Sequence, residues 1–214
     1  MQLQKKAIIF DLDGVICFTD KYHYQAWKAL ADRLGIYFDE KINDRLRGVS
    51  RMASLDIILK RSDVTYTQAK KESFATEKNE TYRDLLKTMS PADLTDEVRD
   101  TLNELRNRGY KLSIGSSSKN TKFILERIGL GDFFDAIADG TDITHSKPDP
   151  EVFLCSAAKL GIAPADCAVV EDAKAGIQAA KAGGFTALAL FGDAKDCGLE
   201  DYNLKSFSDL LNVL

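Results

Sequence analysis

Short apolar, β-prone runs recur along the chain and predict the strands of a sheet. These runs are Ala7–Phe10, Lys111–Gly115, Ala136–Ala138, Cys167–Val170 and Ala187–Phe191. Amphipathic stretches with helical periodicity separate the later runs, at Glu97–Arg108, Asn120–Ile128, Glu151–Leu160 and Lys174–Ala182. Alternating strands and helices are typical of a parallel sheet with helices on both faces. The pattern therefore predicts an α/β fold with a Rossmann-like, doubly wound parallel sheet.

The segment between Phe18 and Met89 has a different pattern, because helical periodicity dominates and no convincing strand occurs. Helices are predicted at Tyr22–Leu34, Ile42–Leu46, Met52–Arg61 and Thr67–Lys87. Pro91 marks the return to the alternating pattern. We expect residues 18–90 to form a four-helix-type cap domain, inserted into a core domain of residues 1–17 and 91–214.

Composition narrows the class of protein. The chain has 214 residues, 44% of them hydrophobic, which suffices for a sizeable core. The net charge of -4 argues against nucleic acid as a partner, while a local basic pocket for one phosphate stays possible. No segment resembles a dedicated interface, so a monomer is the default expectation.

The cysteines and the apolar segments bear on the compartment. Cys17, Cys155, Cys167 and Cys197 are scattered without a C-x-x-C pair, which indicates reduced thiols. The apolar run before Asp11 is too short for a signal peptide, and no run has membrane length. We expect a soluble, cytoplasmic protein that does not bind membranes.

Two carboxylates, Asp11 and Asp13, follow the first apolar run directly, and Gly14 comes next. Residues on either side of one strand position share a face, so the two side chains can converge. Converging carboxylates repel each other unless a cation lies between them or one holds a proton. An Asp-x-Asp-Gly sequence is also an ordinary turn, and other strand ends must separate the two interpretations.

Polar residues follow the later strands as well. Ser116–Asn120 opens a helix whose hydroxyl and amide groups suit a phosphate, although Ser and Asn are also common helix caps. Lys147 can reach a phosphate or a carboxylate, or remain a solvated lysine. Glu171 and Asp172 begin a helix, where acidic residues are favourable, and with Asp11 they also suit Mg²⁺. Ligands bind at the carboxyl ends of strands in such sheets, which favours one shared site.

Together these motifs resemble the haloacid dehalogenase-like superfamily of phosphotransferases over nearly the whole chain. The matching features are the D-x-D-G-V loop, the serine after the second core strand, the S-K-P-x-P lysine and the E-D-x-x-x-G-I segment. The resemblance implies that Asp11 is the nucleophile that forms an aspartyl phosphate and that Asp13 is the general acid and base. It also implies that Ser116 and Lys147 hold the transferring phosphoryl group. The resemblance further implies that the metal ion is Mg²⁺ and that it is bound by Asp11, the Asp13 backbone carbonyl, Glu171 and Asp172.

Asp13 distinguishes two kinds of reaction within the superfamily. Dehalogenase relatives form an ester at the first aspartate and lack an acid at the second position. Expelling an alkoxide from a phosphate ester is difficult without a proton donor. Asp13 therefore favours phosphoryl chemistry, in a phosphatase or a phosphomutase.

The inserted segment carries a second resemblance. His23 and Trp27 are four residues apart, on one helix face, and Lys78-Asn79 and the G-V-S-R sequence of residues 48–51 add cations and an amide. Taken as structure alone, His23 and Trp27 are a packing pair and Lys78 is a solvated charge. The spacing is similar to the cap of the β-phosphoglucomutase family. That resemblance implies substrate contacts by Thr19, His23, Trp27, Arg47, Gly48, Val49, Ser50, Arg51, Lys78, Ser117, Ser118 and Asn120.

The implied reaction interconverts β-D-glucose 1-phosphate and D-glucose 6-phosphate through β-glucose 1,6-bisphosphate. The substrate partner is then a small phosphosugar. Phe18, Arg47 and Ser117 depart from the family's usual Asp, Lys and Ala, which affects the hinge and cap more than the core site. Two alternatives stay open: a phosphatase of a small sugar or polyol phosphate, and a non-catalytic phosphosugar-binding module. The intact acidic and lysine motifs argue against the binding module.

Overall fold

A computed structural model describes residues 3–46 and 49–214 of the chain. The strands are β1 (Ala7–Phe10), β2 (Lys111–Gly115), β3 (Ala136–Ala138), β4 (Cys167–Glu171), β5 (Thr186–Ala189) and β6 (Tyr202–Asn203). The helices are α1 (Asp20–Arg33), α2 (Glu40–Asp44), α3 (Arg51–Leu59), α4 (Gln68–Leu86), α5 (Asp96–Asn107), α6 (Thr121–Arg127), α7 (Glu151–Leu160), α8 (Lys174–Ala182) and α9 (Leu210–Val213). No helix among the residues described is long and apolar enough to cross a membrane.

The chain divides into two compact units. Met1–Phe18 and Ser90–Leu214 form the first unit, and Thr19–Met89 form the second. The boundaries expected from the sequence differ slightly, because they assign Phe18 and Ser90 to the inserted segment. The assignment of the two units as core and cap remains our proposal.

The first unit contains a parallel sheet in the order β3-β2-β1-β4-β5-β6, counted over the described residues. All four residues of β1 are fully buried, as expected for a central parallel strand covered on both faces. The strand order reverses direction between β1 and β4. In open α/β sheets, ligands bind outside the carboxyl ends of the strands at such a point. The fold therefore locates a site after Phe10 and near Glu171.

Helices cover both faces of this sheet. Ala7 and Ile9 of β1 belong to an apolar cluster with side chains of α7 and α8, including Phe153 and Ile177. On the opposite face, the Phe10 ring contacts the rings of Phe134 and Phe207, at centroid distances of 6.3 and 5.7 Å. Successive residues of β1 thus point to opposite faces of the sheet. The prediction of a doubly wound α/β sheet is confirmed.

The outer edge of β3 is covered by a lysine from α7. Lys159 Nζ donates a hydrogen bond of 2.7 Å to the Ile137 carbonyl oxygen. The same ammonium pairs with Asp142 Oδ2 at 2.7 Å. The other edge strand, β6, is only two residues long. One edge strand, β3, therefore has a backbone acceptor occupied by Lys159, and the other, β6, is very short.

The second unit consists of α1 to α4 around its own apolar cluster. The cluster includes Trp27 of α1, Ile42 of α2, Leu55 of α3 and Phe74 of α4, all buried. Asp39, Ser50 and Thr67 precede α2, α3 and α4 and accept hydrogen bonds from backbone N–H groups of the first turns.

Most predicted elements agree with the structure, and the differences have local causes. β1, β2, β3, α7 and α8 have the predicted bounds. The predicted strand Ala187–Phe191 is displaced, because β5 ends at Ala189 and Gly192 turns the chain at a φ of 59°. The short elements β6 and α9 were not predicted, since they are too short to show periodicity.

Candidate active site

The first turn after β1 is organised by one carbonyl and one glycine. Asp11 N–H still donates to the Val170 carbonyl at 3.0 Å, so Asp11 extends the line of the strand. The Leu12 carbonyl then accepts from three successive N–H groups, those of residues 15, 16 and 17. Gly14 has a φ of 94°, which a residue with a Cβ adopts only with strain. The turn keeps Asp11 buried, with 7% of its surface exposed.

Gly14 also leaves room for a carboxylate from the neighbouring strand. A Cβ on Gly14 would lie 2.1 Å from Asp172 Oδ2. The Asp172 carboxylate therefore packs directly against the turn that carries Asp11 and Asp13. The D-x-D-G and E-D motifs, 159 residues apart between Asp13 and Asp172 (172 − 13), meet in one place because β1 and β4 are adjacent.

Lys147 joins two of the acidic residues. Its Nζ donates to Asp11 Oδ1 and to Glu171 Oε1, at 2.5 Å in each case. The second oxygen of Glu171, Oε2, accepts the N–H groups of Asp172 and Ala173 at 2.8 Å each. Lys147, Asp11 and Glu171 are all buried. Such charge-assisted bonds fix the ammonium between two carboxylates.

Gly176 of α8 makes this arrangement possible. A Cβ at that position would lie 1.9 Å from Glu171 Oε1. The glycine in the E-D-x-x-x-G segment therefore creates the space in which Glu171 meets Lys147. This explains the spacing of the motif in structural terms.

The site brings several buried carboxylates together, and this raises the pKa values of two of them. Burial raises the pKa of Asp11 to about 7, opposed by Lys147 and reinforced by Glu171 and Asp13. Burial also raises the pKa of Asp172 to about 8, with further contributions from Glu171 and Asp11. Burial alone would lower the pKa of Lys147, but the Asp11 and Glu171 carboxylates raise it above its ordinary value. Lys147 is thus a permanent cation, and one cation does not balance all the carboxylates.

This charge excess suits a hard divalent cation, and the donors present favour a particular set. Asp11 and Asp172 supply carboxylate oxygens close to the turn at Asp13, whose backbone carbonyl is an oxygen donor of the kind Mg²⁺ prefers. Glu171 differs, because both its oxygens already accept hydrogen bonds. Within residues 3–46 and 49–214, no three acidic, histidine or cysteine side chains form a ready-made metal cluster. Asp11, Asp172 and the Asp13 carbonyl fit the ion best, and the predicted ligand role of Glu171 remains a prediction.

The loop after β2 presents a series of hydroxyl groups. Ser116 Oγ accepts the Ser118 N–H at 3.2 Å, and Ser118 Oγ accepts the Asn120 N–H at 3.2 Å. A hydroxyl that accepts from the backbone keeps its own O–H available to donate. Ser117 Oγ is buried and has no hydrogen-bond partner in the described part of the chain. The capping interpretation also holds in part, since Asn120 directly precedes α6, although its side chain makes no capping bond.

The segment before Lys147 is held by the first residue of α7. The Glu151 carboxylate accepts the N–H groups of Thr144 at 3.0 Å and of His145 at 2.6 Å. These hydrogen bonds from the backbone of His145 and Thr144 lower the pKa of Glu151. Glu151 was not identified from the sequence as the residue that holds the loop leading to Lys147, which we call the lysine loop. Its position four residues after Lys147, at a helix start, was the available signal.

In the second unit, the side chains of His23, Trp27 and Lys78 lie close together. Lys78 is buried, and its Nζ donates to His23 Nδ1 at 2.9 Å. The same ammonium lies over the rings of Trp27, at 4.7 Å from the centroid, and Tyr82, at 4.5 Å. Burial lowers the pKa of His23 well below its ordinary value, and the charges of Lys78 and Arg51 lower it further. His23 is therefore neutral with its proton on Nε2.

The packing interpretation of this cluster also has support. Trp27 belongs to the apolar cluster of the second unit, and the rings of His23 and Tyr82 lie 4.1 Å apart. Tyr82 was missed from the sequence, because the cage around Lys78 depends on which turn of α4 faces α1. The solvated-charge interpretation of Lys78 is wrong, since its side chain is buried.

The other predicted contacts of the second unit are distributed around helix starts. Thr19 is buried and directly precedes α1. Ser50 caps α3 by accepting the Ala53 N–H at 3.4 Å, and Val49 is exposed. Arg51 is the first residue of α3. Arg47 and Gly48 lie outside the described residues.

Comparison with known proteins yields one family and several close relatives. The model of the haloacid dehalogenase-like hydrolase family matches residues 5–184. A β-phosphoglucomutase from Bacillus subtilis (strain 168) is 44% identical over 187 residues, which cover 86% of this chain and 83% of that protein. Fructose-1-phosphate phosphatase YqaB from Escherichia coli (strain K12) is 34% identical over 185 residues, which cover 85% of this chain and 94% of that protein.

Comparison with solved structures also finds a β-phosphoglucomutase. The crystal structure of a β-phosphoglucomutase from Clostridium difficile superposes with a TM-score of 0.88 at 36% identity, and the match covers 96% of this chain and 93% of the other. Taken together, the relatives support an enzyme of the phosphomutase class, within a family that also contains phosphatases.

Proposed function

Because the chain belongs to the haloacid dehalogenase-like hydrolase family, we propose that it is a phosphomutase that interconverts β-D-glucose 1-phosphate and D-glucose 6-phosphate. The observation that carries this proposal is the 44% identity with the Bacillus subtilis β-phosphoglucomutase along most of both chains. The buried Asp11–Lys147–Glu171 arrangement supports phosphoryl transfer as the reaction type.

Asp11 is the proposed nucleophile. Its carboxylate oxygen attacks the phosphorus atom of a sugar phosphate, and the bond from phosphorus to the sugar oxygen breaks. The Lys147 ammonium lies against Asp11, where it attracts the charge on the phosphoryl oxygens. Ser116 is assigned a hydrogen bond to the same oxygens, since its O–H remains available to donate.

Asp13 is the proposed proton carrier. As an acid it protonates the departing sugar oxygen, and as a base it removes the proton from the hydroxyl that attacks phospho-Asp11. In the full cycle, phospho-Asp11 phosphorylates the C6 hydroxyl of β-glucose 1-phosphate to give β-glucose 1,6-bisphosphate. The C1 phosphoryl group of this intermediate then passes to Asp11, and glucose 6-phosphate leaves.

Asp11, Asp172 and the backbone carbonyl of Asp13 are the residues that we expect to hold Mg²⁺. The bound ion would supply positive charge that stabilises the ionised carboxylates and the transferring phosphoryl group. Glu171, whose role as a further ligand remains a prediction, also fixes Lys147 and the N–H groups of the following loop.

The remaining contacts are assigned to the sugar phosphate. Ser118 and Asn120 of the first unit are proposed to bind the phosphate that is not being transferred. Arg51 of the second unit is proposed as a further contact of the substrate. His23 and Lys78 are proposed to assist at the sugar, next to Trp27. A neutral His23 with a proton on Nε2 can donate one hydrogen bond to a hydroxyl.

A hydrolase is the second candidate. The observation that favours it is the 34% identity with an Escherichia coli phosphatase across 94% of that protein. The two activities differ in whether water or a sugar hydroxyl accepts the phosphoryl group from Asp11. A mutase therefore has to exclude water from the aspartyl phosphate.

One experiment separates these candidates. Purified protein is incubated with β-glucose 1-phosphate, Mg²⁺ and a trace of β-glucose 1,6-bisphosphate, and the reaction is followed by ³¹P NMR. We expect glucose 6-phosphate to form in a one-to-one ratio with the substrate lost. Inorganic phosphate in that ratio would identify a hydrolase, and an unchanged spectrum would favour the non-catalytic binding module.

A further inference from the structure

The Lys147 ammonium contacts an aromatic ring in addition to its two carboxylates. Phe153, in the first turns of α7, has its ring centroid 4.5 Å from Lys147 Nζ. Phe153 is fully buried, and only 9% of Lys147 is exposed. At this distance and with little water, a ring face attracts an ammonium through its negative π surface.

The surrounding structure holds the ring in this position. A Cβ on Gly115, at the end of β2, would lie 2.7 Å from Phe153 Cδ1, so the ring depends on that glycine for space. The Phe185 ring packs against Phe153 edge-on, with centroids 6.1 Å apart. Gly115 and Phe185 therefore both help to hold the Phe153 ring against the lysine.

The three partners of Lys147 are Asp11, Glu171 and Phe153, and phosphoryl transfer changes them to different extents. Under the proposed function, phosphorylation converts the Asp11 carboxylate into an acyl phosphate and moves the negative charge onto the phosphoryl oxygens, so the bond between Asp11 and Lys147 changes with each cycle. Glu171 remains an anion, and the Phe153 ring remains unchanged. We propose that Phe153 is a positioning residue, whose ring face keeps the Lys147 ammonium in place while Asp11 passes between its free and phosphorylated forms.

This inference rests on the proposed aspartyl phosphate, and its alternative is that Phe153 only fills the core. Phe153 belongs to the apolar cluster between the sheet, α7 and α8, so removing the ring would also remove packing. Fluorination separates the two roles. Each fluorine on the ring weakens the negative π face and changes the volume of the side chain little.

The test replaces Phe153 by 4-fluoro-, 3,5-difluoro- and 3,4,5-trifluorophenylalanine and measures kcat for β-glucose 1-phosphate. We expect log kcat to fall in steps with the number of fluorines, by roughly tenfold in total, with similar melting temperatures. The same series at Phe185, which contacts Phe153 in the same cluster, is the matched control and should leave kcat nearly unchanged. A flat series at Phe153, or equal slopes at both positions, would overturn the proposal.

Two further readouts separate this inference from the proposed function. If β-glucose 1-phosphate does not react, hydrolysis of p-nitrophenyl phosphate is measured across the same series, and a stepwise fall still supports the role of Phe153. Without any substrate, the NMR signals of the Lys147 Cε protons should lie upfield because of the ring current. Signals that do not move in Phe153→Leu would contradict the contact itself.

Discussion

Asp11 lies under the Lys147 ammonium, so its replacement separates chemistry from folding. In Asp11→Asn the amide cannot act as a nucleophile, and we expect kcat to fall by about 10⁴-fold or more. Lys147 keeps Glu171 as a partner, and the repulsion of Asp11 by Glu171 and Asp13 is relieved. The melting temperature should therefore change by less than about 5 °C.

The matched control for this prediction is Asp96→Asn. Asp96 is an exposed carboxylate on α5 that pairs with Arg99 at 2.6 Å. Its replacement should alter neither the rate nor the incorporation of phosphate into the protein, measured by mass spectrometry. An Asp11→Asn protein that still turns over substrate would remove Asp11 from the role of nucleophile.

His23 predicts a pH dependence of stability for the second unit. Its pKa in the folded protein lies well below 6.5, so below about pH 6.5 the unfolded chain binds a proton that the folded chain does not. Stability therefore falls with decreasing pH, by up to about 1.4 kcal/mol per pH unit, and this contribution is fully present above that range. Urea unfolding followed by the fluorescence of Trp27, the single tryptophan, measures it where the buried cluster lies.

Two variants check the origin of this slope. His23→Gln should remove most of the loss between pH 6.5 and 5, because the substituted side chain does not titrate. His145→Gln, at the other histidine of the chain, should retain it. A slope of the same size in His23→Gln would assign the effect to other groups.

At the scale of elements, α8 carries a glycine that ordinary helix propensity disfavours. Gly176→Ala gains propensity within the helix, yet its Cβ would lie 1.9 Å from Glu171 Oε1. We expect displacement of Glu171, a drop in kcat of about tenfold or more and no gain in melting temperature. Gly131→Ala is the control, since its Cβ would meet Glu126 at an ordinary 3.4 Å. Wild-type kinetics in Gly176→Ala would show that the helix shifts without affecting the site.

The sequence predicts those strands whose residues are nearly all buried. β1 and β2 agree with their predicted bounds because polar residues or glycine follow each apolar run. β6 could not be predicted, since Tyr202 and Asn203 are exposed and form a strand only by pairing with β5. Local pattern determines the first kind of strand, and tertiary contact determines the second.

The candidate site shows the same division. Asp11, Lys147 and Glu171 were predicted as site residues because they lie at or beyond the ends of predicted strands. The resemblance to the haloacid dehalogenase-like superfamily is confirmed. Phe153 and Glu151 were missed, because their contacts with the lysine loop depend on how the first turns of α7 face the sheet. No spacing rule in a single sequence reveals that orientation.

At the scale of the whole molecule, we expect the acidic site to link folding to Mg²⁺. Burial, reinforced by the neighbouring carboxylates, raises the pKa values of Asp11 and Asp172, and a bound divalent cation would favour their ionised forms. Mg²⁺ that binds only the folded protein stabilises it by about 2.7 kcal/mol at a hundred times the dissociation constant. We expect the melting temperature to rise with added Mg²⁺ and to return to its starting value with EDTA.

Asp172→Asn tests the ligand assignment in the same measurement. It removes one proposed carboxylate ligand and should abolish most of the Mg²⁺-dependent shift. Asp193→Asn is the control, because Asp193 caps the start of α8 through the Lys174 N–H at 2.7 Å and is not a proposed ligand. An equal shift in Asp172→Asn and the wild type would place the ion elsewhere.

The contact of Lys159 with the Ile137 carbonyl has a consequence for colloidal behaviour. An unprotected edge strand offers backbone acceptors to a second molecule, and growth from such edges leads to aggregates. Here an ammonium occupies one of these acceptors on β3, and its charge would have to be desolvated before a foreign strand could pair. The helix that supports the lysine of the site thus also covers this edge of the sheet, which disfavours aggregation through β3.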